Sequence, residues 1–486
     1  MNCTLLDWGI ILVYLGLSMA AGLYGKRYIS GPADFLVAGR GIGLCLGIST
    51  LAATEIGTVT FMYYAELGYK AGFAAFVNGL IAGAVMLVLG RTGFVIKRLR
   101  ELRLMTVPEF FERRYSRNLR VLTGVLVAAG GILNMGVFLR IEGTFLAILS
   151  GIPIEYLKLV MTGILLLELL YTVLGGMVSV VITDFIQFVA LSLGALVVTG
   201  VCILAAGWGN MHAAVSSAMG PGGFSPLISP QFGWAFIVFQ LLFWLALSTC
   251  WQTTAMRTFS TRDAETSAKV FTWTGFIFFG RGMLPMLWGI AALTVLGTGQ
   301  NGLEAMPILL SRLLPSGLRG IVMAGMLAAT MSVNSSYLLG WSSVIAQDVV
   351  APMRKAPLSS RAQVRLNRVT NLFVSLFVMF WGLWYTLPGP AYFYLNITAT
   401  IYLGGSFAAI VGGLYWKRAN VAGGYAAMLG GAVGASTFFL LRWPASYSGI
   451  AAFALAGAGL AVGSFLGRPA TGVMLDFRPV PGLAED

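Results

Sequence analysis

Apolar runs of about 18 to 28 residues, separated by short polar stretches, recur along the whole chain. Each is long enough for the roughly 20 residues that carry a helix across a hydrocarbon core about 30 Å thick. Thirteen runs predict thirteen spans, near 6–25, 42–66, 71–96, 121–149, 155–175, 178–206, 233–256, 270–298, 318–346, 370–388, 391–415, 422–441 and 448–467. The expected fold class is an all-α polytopic membrane protein. The first run contains Asp7 and has no basic residue ahead of it, so it reads as a retained helix and not as a secretory leader.

Composition points the same way. Of 486 residues, 58% are hydrophobic and 10% charged, whereas soluble domains run near ~25% charged. The 62 glycines come without an excess of proline, which suits close helix packing. Four cysteines without CxxC spacing and a single histidine, His212, leave little basis for metal, redox or imidazole chemistry. A net charge of +13 on a soluble chain would point to nucleic acid. Here the charge is one-sided. With the N-terminus outside, 24 of the 31 Lys and Arg fall in inner loops, among them Lys26, Arg27, Arg40, the block from Arg91 to Arg120, Arg257, Arg262 and Lys269. Basic residues resist translocation, so this asymmetry predicts an outer N-terminus and a cytoplasmic C-terminus in a bacterial inner membrane. The large partner is then the lipid bilayer, and nucleic acid is excluded.

The longest outer loop, 207–232, is rich in Gly, Ser and Pro and holds His212. It separates a five-helix set at 42–206 from another at 233–415. An odd number of crossings between their starts makes the two sets run in opposite senses, the arithmetic of an inverted repeat. The expected organisation is a first helix and inner loop (1–41), a first repeat of helices 2–6 (42–206), the outer loop (207–232), a second repeat of helices 7–11 (233–415), two peripheral helices (416–467) and a short cytoplasmic tail (468–486).

Away from the ends of the spans lie six charges: Glu55, Arg140, Glu142, Glu168, Asp184 and Arg281. A charge at a helix centre costs about 2.5–3.5 kcal/mol on insertion scales, so each is a candidate for function; a structural ion pair or snorkelling to the interface is the alternative. Glu55 sits in STLAATEIGTVTF, a hydroxyl-rich segment with Gly57. Such a segment suits a broken helix whose carbonyls and hydroxyls ligate a hard cation, or else a packed helix whose threonines bond their own backbone. Asp184 follows a turn permitted by Gly175 and Gly176 in YTVLGGMVSVVITDFIQ. In AGMLAATMSVNSSYLLGWSSVIAQD, Ser332, Ser335 and Ser336 share one helix face. Those hydroxyls can replace water around Na+, or they can simply allow close helix contact.

Together with GPADFLVAGR (31–40) and MRTFSTRDAETSAKV (256–270), these segments resemble the sodium:solute symporter family, in order over about 1–415. The resemblance implies two inverted five-helix repeats and alternating access to a substrate site near mid-membrane. It implies a main sodium site from Ala53, Ile56, Ala329, Ser332 and residue 333, which is Val here, so one hydroxyl ligand is missing. It implies a second cation site at Asp184, Ser332, Ser335 and Ser336. Substrate positions by the same resemblance are Thr60, Trp251 and Arg281, with Gln252 adjacent, and Arg140 is similar in placement to the arginine that holds the carboxylate in sialic-acid carriers.

The expected function is Na+-coupled import of a small organic solute, carboxylate-bearing or amino-acid-like. The arginines would bind a carboxylate in bidentate fashion, and Glu55 would neutralise an amine. The alternatives are H+ coupling through Glu55, a symporter-like sensor without transport, a passive channel, or an enzyme, which lacks any nucleophile paired with a base. The expected oligomeric state is a monomer or weak homo-oligomer.

Overall fold

The computed structural model describes residues 3–28, 31–354, 358–385 and 390–467, without the side chains of Lys26, Ile154 and 167–175. The expected tail at 468–486 and the side chain of Glu168 therefore lie outside the described residues. Everything described is helix or short connection; the single β-like feature is a parallel bridge between Ile42 and Thr261.

Helices α1 (Leu5–Gly25), α2 (Pro32–Val37), α3 (Leu44–Glu55), α4 (Thr58–Ala71) and α5 (Phe76–Thr92) open the chain, followed by the short α6 (Ile96–Glu101) and α7 (Val107–Arg114). Next come α8 (Arg117–Met135), α9 (Phe138–Ser150), α10 (Leu157–Ala206) and α11 (Trp208–Met219). The second half holds α12 (Gly233–Cys250), α13 (Gln252–Ser260), α14 (Ala264–Leu296), α15 (Gly302–Leu313) and α16 (Leu318–Val344), which runs on as a π turn to Val350. The last helices are α17 (Ser360–Trp384), α18 (Ala391–Tyr415), α19 (Val421–Leu440) and α20 (Ala445–Leu466).

Among the described residues, eleven helical segments are long and apolar enough to cross a membrane. The thirteen expected runs differ from these at two places, and each has a cause. The run at 42–66 splits at Ile56–Gly57 into α3 and α4; α3 alone is too short to span, and the segment from Thr58 to Thr92 bends at Gly72, where φ is +60°. In the run at 155–175 the chain is helical from Leu157, and the side chains of 167–175 lie outside the described residues, so this run is neither added to nor removed from the eleven. The turn expected at Gly175–Gly176 is a break at Gly176, with φ +52°, where a Cβ would lie 2.6 Å from the Phe35 ring. The Gly-rich stretch after residue 207 is partly helical, because Met211 and Val215 bury one face of α11.

Burial sorts the helices. In the most apolar window of α16, 94% of the residues are buried, against 28% for α1, so α16 lies at the centre and α1 at the lipid-facing edge. Close helix contact relies on missing side chains: a Cβ on Gly289 of α14 would fall 1.9 Å from the Ala65 carbonyl oxygen of α4. The N-terminal end of α16 is capped from another helix. Asp7 of α1 accepts from the Gly317 and Gly320 amides, each at 2.8 Å, and so satisfies donors that the first turn leaves free.

Candidate functional site

Two broken helices build the centre of the molecule. One is α3/α4, interrupted at Ile56 and Gly57; the other is α12/α13, interrupted at Trp251, whose ψ of +124° is extended. They stand where the sequence places the expected first helices of the two five-helix sets, 42–66 and 233–256. Their neighbouring ends are joined by the Ile42 bridge, in which the Ile42 amide donates to Ser260 O and the Arg262 amide to Ile42 O, both at 3.0 Å. Helix α16 lies against the first break. Thr58 Oγ1 donates to Met326 O at 2.6 Å, and Val333 turns its methyls toward Gly57, where a Cβ would lie 2.8 Å from Val333 Cγ2.

At the breaks is a cavity of about 60 Å³, lined by Glu55, Thr60, Trp251, Arg281, Val333 and an aromatic wall that includes Tyr64, Trp244 and Tyr337. Arg281 of α14 crosses to the first break. Its Nε donates to the Glu55 carbonyl at 2.6 Å, and its Nη2 stands 4.0 Å from Glu55 Oε2. The guanidinium packs over the rings of Phe278 and Trp244, 4.8 and 5.2 Å from their centres. Glu55 Oε1 accepts from Thr254 Oγ1 of α13 at 2.7 Å, so this carboxylate joins both breaks. Thr60 Oγ1 donates to the Glu55 carbonyl at 3.4 Å, and Trp251 Nε1 donates to Tyr337 OH at 3.1 Å. Arg281 Nη1 on the cavity wall has no hydrogen-bonding partner among the described residues, and beside it the Asn396 amide and the Tyr392 hydroxyl pair with each other. Burying an unpaired donor costs about 1–3 kcal/mol, so this donor-rich wall marks a place for a ligand's acceptors.

Two expected substrate residues lie elsewhere. Arg140 is partly exposed and donates to Tyr385 O at 3.4 Å, away from the cavity lining. Phe138 lines the cavity, and two residues on along a helix is a turn of about 200°, so Arg140 faces the other way. Gln252 is fully buried, and its Oε1 accepts from the Val107 amide at 2.9 Å, tying α13 to the start of α7. The extended residue at Trp251 puts Gln252 into a new first turn that is directed out of the cavity.

The second cluster surrounds Asp184 of α10. Its Oδ1 accepts from Ser332 Oγ at 2.5 Å and its Oδ2 from Thr50 Oγ1 at 2.5 Å. The expected serine set is only partly assembled. Ser336 stands in the cluster, 3.3 Å from Thr54 Oγ1, but Ser335 donates to the Ser332 carbonyl of its own helix at 3.1 Å. An arginine fills the rest. Arg257 of α13, expected in an inner loop, is buried; its Nη2 donates to Ser336 Oγ at 2.5 Å and to Asp184 Oδ2 at 3.2 Å. Its position in a basic stretch concealed this, because the break at Trp251 carries no Gly or Pro that would have announced an extra buried half-helix.

The two implied cation sites therefore test differently. At the first break, the carbonyls of Ala53, Ile56 and Ala329 with the Ser332 hydroxyl supply the oxygen donors a hard cation prefers, and the Val333 methyls face the position of the missing hydroxyl. By oxygen type this expected set suits Na+ with one ligand fewer, while the Ala53 carbonyl also accepts from the Ile56 amide at 3.4 Å. The Asp184 cluster does not fit, because a guanidinium already takes its carboxylate and one of its hydroxyls. A further buried acid, Glu142 of α9, accepts from Asn334 Nδ2 at 2.9 Å on another face of α16.

Comparison with known proteins agrees with this architecture. The sequence pattern of the sodium:solute symporter family matches residues 35–431. The sodium/glucose cotransporter of Vibrio parahaemolyticus is 24% identical over 458 residues, covering 86% of this chain and 82% of its own. The sodium/sialic acid symporter NanT of Aliivibrio fischeri is 25% identical over 388 residues, covering 76% and 75%. Among solved structures, a Na+-coupled sialic acid symporter in a substrate-bound outward-open state superposes with a TM-score of 0.84 at 19% identity, covering 97% of this chain and all of that one. At that identity the likeness establishes the fold.

Proposed function

This chain belongs to the sodium:solute symporter family, and from that premise we propose that it imports a small carboxylate-bearing organic solute together with Na+ by alternating access. The observation that carries the substrate reading is the donor-rich wall, where Arg281 Nη1 stands buried and unpartnered beside the Asn396 and Tyr392 pair on one cavity. A carboxylate brings four lone-pair sites, and its bond to a guanidinium is charge-assisted, about twice as strong as a neutral one. The aromatic wall then packs an apolar body. Glu55, with Oε2 facing Arg281, gives an amine a partner if the solute is amino-acid-like.

Na+ would be held at the first break by the Ala53, Ile56 and Ala329 carbonyls and by Ser332. When bound, it supplies positive charge where the halves of the broken helix meet. Inverted five-helix repeats (42–206 and 233–415) would carry the alternation, with the N-terminus outside a bacterial inner membrane. The cavity of about 60 Å³ admits only a few waters, so the halves must part to admit the solute.

A proton-coupled version rests on one observation, the apolar Val333 against Gly57, which removes a sodium ligand and leaves Glu55 as the proton carrier. Uptake of labelled carboxylates into proteoliposomes under an imposed Na+ or pH gradient separates the two. Accumulation driven by Na+ and indifferent to pH is expected, and accumulation that ignores Na+ and collapses with the pH gradient overturns sodium coupling.

A further inference from the structure

We propose that Arg257 is the resident cation of the Asp184 cluster, so that this second site takes no Na+ while α13 is seated and the protein loads one sodium per carboxylate. The geometry is that of a filled cation site. The side chains of Arg257 and Asp184 are 1% and 0% exposed, 3.2 Å apart. The guanidinium reaches oxygens on three other helices: Asp184 on α10, Ser336 on α16 and Thr50 on α3, the last at 3.4 Å from Nε. Thr50 and Ser332 in turn spend their hydroxyl protons on Asp184, at 2.5 Å each. The Asp184, Ser332, Ser336 and Thr50 oxygens are all tied into this bonded set, and Ser335 bonds its own helix.

Charge balance supports the same count. The two clusters contain two acids, Glu55 and Asp184, and two bases, Arg257 and Arg281, all buried. The centre is neutral before anything binds. One Na+ entering with one carboxylate keeps it neutral; a second Na+ would leave an uncompensated charge among buried side chains, which is costly. Arg257 also differs from a free ion in being tethered. It belongs to α13, whose other anchors are Gln252 on the Val107 amide and the Ile42 bridge, so the site is vacated only by moving that half-helix.

The test counts bound ions and does not need transport. Radiolabelled Na+ is titrated to saturation on the purified, monodisperse protein by equilibrium dialysis, for the wild type and for Arg257→Ala, Arg257→Lys and the double variant Arg257→Ala with Asp184→Asn. The expected result is one more Na+ per protein in Arg257→Ala than in wild type, the wild-type count in Arg257→Lys, which keeps the tethered charge, and loss of the extra ion in the double variant. An unchanged count in folded Arg257→Ala overturns the inference. So does a wild-type count of two, which needs no variant and stands even if Arg257→Ala does not fold. A wild type that binds none while Arg257→Ala binds one sinks the sodium-coupled reading above and with it the count of one sodium per carboxylate, but leaves Arg257 as the resident cation of the second site.

Discussion

Replacing Val333 by Thr should tighten sodium binding about tenfold. Val333 is 5% exposed, and its methyls press on Gly57 at the break, where a Cβ would meet Cγ2 at 2.8 Å and Cγ1 at 3.6 Å. Thr has the shape of Val, so the packing survives and one methyl becomes a hydroxyl that joins the carbonyls of Ala53, Ile56 and Ala329 and the Ser332 hydroxyl. A hydrogen bond to a charged group contributes about 1.5–3 kcal/mol, and burying a hydroxyl costs roughly 1–3 kcal/mol when it finds no partner. With the ion as partner most of that cost is recovered, which leaves a net gain near 1.4 kcal/mol, or about tenfold in the constant. The assay is the thermal shift of the purified protein against Na+ concentration, supported by Na+-dependent uptake. Val333→Ala serves as the control, and it should show no gain. If Val333→Thr folds, transports and has the wild-type half-saturating Na+, then the ion does not bind at this break and the assigned ligands are wrong.

Arg281→Lys should weaken substrate binding by roughly 10- to 100-fold, because an ammonium loses the planar fork for a carboxylate; a fall in folded yield with unchanged affinity would mean that the arginine serves only the Glu55 backbone. Asp184→Asn should cost about 3–5 kcal/mol of stability by stranding the buried Arg257, whereas Ser335→Ala should cost under about 1 kcal/mol, since its hydroxyl bonds only its own helix. Equal melting temperatures for these two would contradict the ion pair. Asp7→Ala should lose about 1–2 kcal/mol, the value of a helix cap, with Na+ and substrate affinities unchanged.

The features legible in the sequence were those that announce themselves by composition. The first break was readable because STLAATEIGTVTF mixes hydroxyls, small residues and Gly57 in an apolar run, and Gly176 was readable as a turn. The second break was not. Residues 247–256, LSTCWQTTAM, contain neither Gly nor Pro, so the run read as an ordinary span and Arg257 as loop charge. The same omission misdirected Gln252, which spacing put beside Trp251 and the backbone turned away. Arg140 lies off the cavity for a different reason. Matching its place along a helix says nothing of rotation, and its helix presents Phe138 to the cavity instead. Asn396 and Tyr392 leave only a weak signal, an amide and a phenol inside an apolar run.

Helix α16 explains why cation, substrate and gate cannot be independent here. Successive residues on a helix are turned by about 100°, and three neighbours on α16 serve three different partners. Ser332 binds Asp184, Val333 faces the cavity and the first break, and Asn334 binds Glu142. A rotation large enough to change one contact changes all three. The helix is also held at both ends, by Asp7 on the amides of Gly317 and Gly320 and by Asp348, which accepts from Thr106 at 2.9 Å and Arg120 at 2.7 Å. A buried rod pinned at both ends is better suited to stand still than to rock. The half-helices α3 and α13 are joined to each other by the Ile42 bridge and the Thr254–Glu55 bond, and to α16 through Thr54, Arg257 and Ser336. Opening the cavity toward that end then amounts to lifting this pair off α16, and the bond that must break is the one between Arg257 and the Asp184 cluster.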